Sequence, residues 1–411
     1  MESINTPKTL DFQGPLRNNK NNKKNKKTRV LFKAPVLTCS GYGVHSRQIF
    51  RWLLTHKNDV ELFVDSLRWG NTTWTIDAEG FNGLVKDVLD HAIDPGNEVD
   101  VSIQVMIPNE WNSKLAKYNV GVTAVVESDK CNPVWVEATN KMDLVIVPSE
   151  HARNVLMNSG EVTTRIVVVP EAYFEEIAEG DEGLNLEFPT DFNFLLYGQF
   201  TGNSSENDRK NTFNALKWIC ETFKNDEDVG IIIKTNSGRY TAMDKKATTM
   251  KVQNTLKTVR DGNNPRVYLL HGFMEDSEVA SLYRHPSIKA TVAISRGEGF
   301  CLPLLESVAS GIPVIATDWS GHLDYLNKGK FIKVDYDLIT IPPSRIDNQI
   351  WMAGSRWAEV KEKHFKKILK KFRISNDIPS KWAKDLQETI LKEYSQEEIN
   401  KKYDLVLSEL L

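Results

Sequence analysis

The sequence is short of everything that would make it a secreted, metal-clustered or membrane-spanning protein. It has four cysteines in 411 residues, Cys39, Cys131, Cys220 and Cys301, scattered and without a Cys-x-x-Cys or Cys/His ligand spacing. That pattern excludes a disulfide framework and a sequence-legible zinc site, and reads as reduced thiols. No apolar run approaches the ~20 residues of a membrane span. The N-terminus lacks the apolar centre of a signal peptide. A formal net charge of -3 argues against a surface coated for nucleic acid. These absences lead us to expect a soluble, cytoplasmic protein.

What is present is globular: 40% hydrophobic and 26% charged residues, in a chain long enough for two domains. Residues 1–28 end in "LRNNKNNKKNKKT", Asn/Lys-rich sequence with little to bury, and are expected to form a disordered basic tail. From "RVLFKAPV" onward short apolar runs alternate with helical patterns. The runs are "VELFVD", "VSIQVMI", "VGVTAVVE", "LVIVPS" and "RIVVVP". An acidic, Gly/Pro-containing stretch at 175–192 reads as a linker. A second series follows: "FNFLLYG", "VGIIIKT", "RVYLLHG", "ATVAIS" and "IPVIAT", with helices "NTFNALKWICETF", "DSEVASLYRH" and "LPLLESVAS". Strands alternating with helices predict an α/β fold of two doubly wound, Rossmann-like domains facing a cleft. The expected boundaries are 29–180 for the first domain and 181–385 for the second. Helices in 386–411 are expected to pack back on the first.

The stretch "RGEGFCLPLLESVASGIPVIATDWSG" (296–321) carries the chemistry. Pro303 suits a first helical turn, and Gly311 stops that helix before the next strand. Gly299 lets backbone approach a ligand, and the amides of Phe300, Cys301 and Leu302 would face outward from the helix N-terminus. Together these suggest a phosphate site. Glu306, a turn into the helix, can accept hydrogen bonds from two vicinal hydroxyls such as those of a ribose. Glu298, ahead of the loop, would reach a hydroxyl-bearing group on the far side of a diphosphate. Carboxylates flanking a diphosphate suggest a nucleotide sugar.

"EGFCLPLLESVASGIPVIATDWSG" resembles the E-x7-E signature of family-4 glycosyltransferases, which have the GT-B fold. "VYLLHGFMEDSEVASLYRH", "NKMDLVIVPSEHARNVL" and "APVLTCSGYG" resemble further family segments, so the likeness spans most of 29–330. It implies Glu306 on the nucleotide ribose, Glu298 on the donor sugar and Lys210 on the diphosphate. The family's arginine position holds Gln199 here, a departure for which Arg209 is the candidate substitute. Gly41 and Gly43 match the N-terminal glycine loop near the donor phosphates, although a plain tight turn also explains them. Where the family has a histidine near the reacting centre this chain has Glu127, a candidate catalytic residue beside Glu298 and Lys210 that would orient a substrate and not act as nucleophile.

The implied reaction is a retaining, metal-independent transfer from a nucleotide-diphosphate sugar, with no cofactor. Asp226/Asp228 and Asp335/Asp337 are Asp-x-Asp triplets in loop contexts and are rejected as metal ligands. His45 and His151 are read as surface or capping residues, and His271 and His322 as locally packed. The acceptor is unknown. Trp69, Trp74 and Trp111 would line a groove for it or serve as packing anchors. The texture of the chain is similar to glycosyltransferases of large bacteriophages, in which case hydroxymethylated DNA is an alternative acceptor and the tail with Lys363, Lys367, Lys370 and Lys371 would contact phosphates. A nucleotide-sugar epimerase and a non-catalytic binder are the readings from other classes. Oligomeric state is not legible.

Overall fold

The computed structural model describes residues 27–96, 98–179, 186–260 and 262–411. Residues 1–26 of the expected tail and 180–185 of the expected linker lie outside them. Two six-stranded sheets dominate. The first comprises β1 (Thr28–Ala34), β2 (Val60–Ser66), β3 (Val101–Val105), β4 (Tyr118–Val122), β5 (Leu144–Val147) and β6 (Ile166–Val168), in the order β2-β1-β3-β4-β5-β6. The second comprises β7 (Phe192–Tyr197), β8 (Val229–Lys234), β9 (Arg266–Leu270), β10 (Ile288–Ala293), β11 (Val314–Thr317) and β12 (Ile332–Val334), in the order β12-β11-β10-β7-β8-β9.

Every pairing within these two sheets is parallel. A parallel strand covered on both faces needs apolar residues throughout, not alternation. "LVIV" of β5 and "VGIIIK" of β8 are buried at every position. In the second sheet the connections diverge from β7 and β10, which lie side by side. The carboxyl ends of such a pair open a crevice. The loops that fill it are 198–211 and 294–301.

Three features depart from the sequence expectation. The run "VGVTAVVE" leaves the sheet after Val122, because Thr123 Oγ1 accepts from the Val125 amide and the Tyr42 hydroxyl accepts from the Ala124 amide. Residues 123–127 therefore form a loop toward the second domain. An unforeseen antiparallel hairpin, β13 (Tyr336–Thr340) and β14 (Arg356–Val360), follows the second sheet. Its Ile341, Trp351 and Trp357 are buried with Val126, Cys131, Trp135 and Met142 of the first domain. Arg356 pairs with Asp129 at 2.8 Å across that junction. Finally, His45 is buried and not at the surface: its Nε2 lies 3.1 Å from the Tyr403 hydroxyl, and burial lowers its pKa to about 4.

The last helices divide between the domains. Leu386 and Ile390 of helix Asp377–Glu393 join the second-domain core around Leu304, Leu305 and Val308. Helix Gln396–Leu407 crosses to the first, where Tyr403 stacks on Trp52 at 5.1 Å and Asp404 accepts from Trp52 Nε1 at 2.7 Å.

Candidate active site

Arg209, Lys210, Glu298 and Glu127 meet at the crevice between β7 and β10. Lys210 Nζ lies 2.7 and 2.9 Å from the two oxygens of Glu298. Arg209 Nη1 donates to the Gly297 carbonyl at 2.8 Å and lies 3.3 Å from Glu298, while its Nη2 lies 3.2 Å from Glu127. The loop bearing the two cations is itself tied down. Asp208 accepts from the amide and hydroxyl of Thr201 and from the Thr212 amide. Asn211, in the left-handed region at φ 56°, donates to the Ile294 carbonyl. Burial raises the Glu298 pKa, but Lys210 and Arg209 outweigh it and hold the carboxylate at about 2. Two cations and two carboxylates make the cluster neutral as it stands.

The Glu298 loop is gripped from both domains. Ser320 Oγ accepts from the Glu298 amide at 3.0 Å, the Gly321 amide donates to the Glu298 carbonyl at 2.9 Å, and Ser149 of the first domain donates to the Gly299 carbonyl at 2.6 Å. Gly299, expected to let backbone approach a ligand, also has a packing role. A Cβ there would sit 2.8 Å from the Ala124 carbonyl, and one on Gly297 would sit 2.2 Å from the Glu127 carbonyl. These glycines let the two domains meet backbone to backbone.

Phe300 is buried against Tyr325, and Cys301 adopts φ 75° at the N-cap of helix Leu302–Ala309. The amides of Phe300, Cys301 and Leu302 donate to no acceptor among the described residues. Unsatisfied donors at a helix start favour an anion. The Cys301 thiol is pushed up to about 12 by burial and then by Glu298, so it stays protonated.

Glu306 belongs to a separate compartment. It lines a cavity of about 290 Å³ between the domains with Val44, Arg47, Tyr197, Lys234 and Tyr240. Tyr283 donates to it at 3.0 Å, and burial drives its pKa to about 8, against that hydrogen bond and with a push from Asp276. Glu171 of the first domain is likewise raised to about 8, by burial and by the Glu306 charge. Tyr197, at the end of β7, lines both this cavity and the smaller recess beside Lys210 and Glu298.

The remaining expected residues are placed as follows. Gly41 opens helix Gly41–Thr55 with free space at its Cβ position, whereas a Cβ on Gly43 would lie 2.1 Å from the Thr38 carbonyl. Gly43 thus serves its own turn. Gln199 donates to Asn236 and stands outside the cluster; Arg209 supplies the second cation instead. Asp226 and Asp228 pair with Arg373, and Asp337 with Lys361. Among the described residues no three His, Cys, Asp or Glu gather as a metal site. His151, expected near the surface, has a buried Nε2 without a partner and meets the Trp319 ring edge-on. Trp69 stacks on Tyr42 at 4.2 Å, Trp111 donates to the Gln104 carbonyl, and Trp74 is 47% exposed.

Two residues escaped the sequence reading. Arg345, on the hairpin loop, donates to the Thr201 carbonyl of the cation loop and keeps a buried Nε without a partner. Arg47 donates to the Val36 and Thr38 carbonyls beneath the cavity and lies over the Phe81 ring at 3.6 Å. Neither sits in a motif. Lys363, Lys367, Lys370 and Lys371 are exposed on helix Glu362–Ile374, whose last turn is anchored by Arg373 to Asp226 and Asp228, ahead of β8. That end of the sheet is opposite the cluster.

Residues 256–341, which contain Glu298 and Glu306, match the family model of glycosyl transferases group 1. This part of the chain is similar to glycosyl transferases group 1. Solved structures agree on the fold. A glycosyltransferase from Rickettsia africae aligns over 94% of this chain and 99% of its own, with TM-score 0.61 and 14% identity. HepE of Anabaena, determined with UDP and glucose, covers 93% and 100% at TM-score 0.56 and 15% identity. An E. coli trehalose-6-phosphate protein bound with UDP-2-fluoro glucose covers 93% and 99% at TM-score 0.59 and 11% identity. No curated protein matches the sequence. The chain thus has the GT-B architecture, and none of its described helices is long and apolar enough to cross a membrane.

Proposed function

We propose that this protein is a glycosyltransferase that moves a sugar from a nucleotide-diphosphate sugar to a hydroxyl acceptor, with retention at the anomeric carbon and without a metal or other cofactor. The observation that carries the reading is the pair Arg209 and Lys210 beside the free amides of Phe300, Cys301 and Leu302. Fixed cations and helix-start donors supply what a departing diphosphate needs, namely charge stabilisation set in place before reaction. Glu298 takes the donor-sugar hydroxyls, Glu306 the ribose hydroxyls, and Glu127 holds Arg209 in position.

In this reaction the anomeric carbon–phosphate oxygen bond breaks and its electron pair leaves with the diphosphate. The acceptor oxygen bonds the same face, and its proton passes to the departing phosphate oxygen. Lys210 must then trade part of its contact with Glu298 for the diphosphate, so the carboxylate holds the cation's place until the donor arrives. A glycan or lipid-linked hydroxyl is the proposed acceptor class. The lysine face of helix Glu362–Ile374 runs away from the cluster and lends no support to DNA.

The test is thermal stability against UDP, GDP, ADP, CMP and dTDP for the wild type and Glu306→Ala. UDP comes first, because HepE and the trehalose-6-phosphate protein were captured with uridine nucleotides. A ligand at a hundredfold excess over its Kd adds about 2.7 kcal/mol. The expected result is a shift with one nucleotide that Glu306→Ala loses, followed by release of that nucleotide from its sugar donor. No shift with any of the five would overturn the donor-site assignment.

A further inference from the structure

We propose that Ser320 is a positioning residue for Glu298, holding its backbone from a strained turn that His322 braces. The inference rests on the transfer reading above and adds a residue to it. Ser320 is buried and adopts φ 90°, in the left-handed half of conformational space. A non-glycine residue there is strained, and such strain persists only where the surroundings enforce it. Glycine would relieve it. What serine adds is a hydroxyl, and that hydroxyl accepts from the Glu298 amide.

The adjoining atoms fix which way the hydroxyl faces. His322 Nε2 lies 2.7 Å from the Thr317 carbonyl, which can only accept, so Nε2 carries the ring hydrogen. Nδ1 then offers a lone pair toward Ser320 Oγ, in a long contact of 3.5 Å. With its hydrogen turned to Nδ1, the serine oxygen presents its lone pairs to the Glu298 amide. Burial lowers the His322 pKa, in keeping with a neutral ring. The Gly321 amide completes the grip on the Glu298 carbonyl, and a Cβ on Gly321 would lie 2.0 Å from the Gly299 carbonyl. Both polar backbone groups of Glu298 are therefore set by the 320–321 turn. Its carboxylate, in turn, sets Lys210 and Arg209. Ser320 touches no reacting group itself; its effect passes through Glu298.

Three measurements on Ser320→Gly, Ser320→Ala and the wild type test this. They are hydrogen exchange of the Glu298 amide, the Kd for free UDP, and kcat and KM for release of UDP from UDP-glucose. If UDP is not the nucleotide bound, the matching diphosphate and its glucose or mannose donor replace them. Losing one hydrogen bond predicts exchange about fivefold faster in both variants. A misplaced Glu298 predicts kcat about tenfold lower, with a smaller rise in the nucleoside diphosphate Kd passed on through Lys210 and Arg209. Ser320→Gly, relieved of strain, should melt no lower than the wild type and higher than Ser320→Ala. A folded Ser320→Gly protein with wild-type amide exchange or wild-type kcat overturns the proposal. A wild type that releases sugar from no donor overturns the transfer reading instead, while the exchange measurement still decides whether Ser320 holds Glu298.

Discussion

The Ser149 hydroxyl of the first domain donates to the Gly299 carbonyl of the second at 2.6 Å, while the same oxygen accepts from the Ala152 amide at 3.1 Å and caps helix Glu150–Met157. One side chain therefore starts a helix in one domain and holds the loop after Glu298 in the other. The bond exists only while the domains are together. It ties the geometry of the Glu298 loop to domain closure, which in the proposed transfer would exclude water from the reaction.

Ser149→Ala removes both bonds. The lost cap alone is worth about 1 kcal/mol, so the melting temperature should fall by a few degrees. Donor hydrolysis should rise relative to transfer, read as free sugar against glycosylated product once an acceptor is in hand. An unchanged ratio would show that closure does not depend on this contact.

Gly297→Ala places a methyl group 2.2 Å from the Glu127 carbonyl. Both are backbone positions with little room to yield, so the domains must part. Turnover should fall at least tenfold with each domain still folded. Small-angle scattering should report a larger radius of gyration; an unchanged radius with full activity would contradict the packing described.

Lys210→Ala leaves Glu298 buried with Arg209 as its only close cation, a change that in buried pairs costs about 3 kcal/mol. Adding Glu298→Gln removes the uncompensated charge. The double variant should be more stable than the sum of the single effects by about 1–3 kcal/mol. Denaturant unfolding of the four proteins measures this, and simple additivity would argue that the pair does not interact.

The two motif glutamates should respond to pH in opposite directions. Glu298 is held at about 2, below its unfolded value, so its stabilisation is present above about pH 4.5 and is lost as pH falls toward 2. Glu306 is raised to about 8, so the native state favours its protonated form. That stabilisation is complete below about pH 4.5 and is lost as pH rises through 8. Glu306→Gln should flatten the decline between pH 5 and 8.5, with urea midpoints at pH 5, 7 and 8.5 as the readout. A wild-type slope in the variant would assign the decline to Glu171 or other groups.

Much of the architecture was legible because a parallel strand buried on both faces is an unbroken apolar run. β5 and the Ile231–Ile233 centre of β8 announce themselves in this way. Glu298 was legible for a different reason: Gly-Glu-Gly followed by Leu-Pro confines the backbone tightly enough to be recognised, whereas Lys210, Arg209 and Glu127 were reached only through the family resemblance. What could not be read depends on contacts far apart in sequence. Gly299 was read as a ligand-approach residue and Gly297 was not singled out; only the fold shows that both pack against the 123–127 loop. His45 gives no sign of burial until Tyr403, from the far end of the chain, closes over it. The hairpin was missed because β13 has four exposed residues of five, a pattern that competes poorly with loop. Arg345 was lost along with it.

The same hairpin decides where this molecule can be cut. Trp351 and Trp357 come from the chain of the second domain, yet their neighbours are Trp135 and Cys131 of the first. Severing the chain in the linker would strand these tryptophans in water on one fragment and open a hole in the other. Chimaeras that exchange the halves of this enzyme with those of another should therefore move residues 336–360 with the first domain. So far as recombination is concerned, its modules are not the two sheets but a continuous piece and an interrupted one.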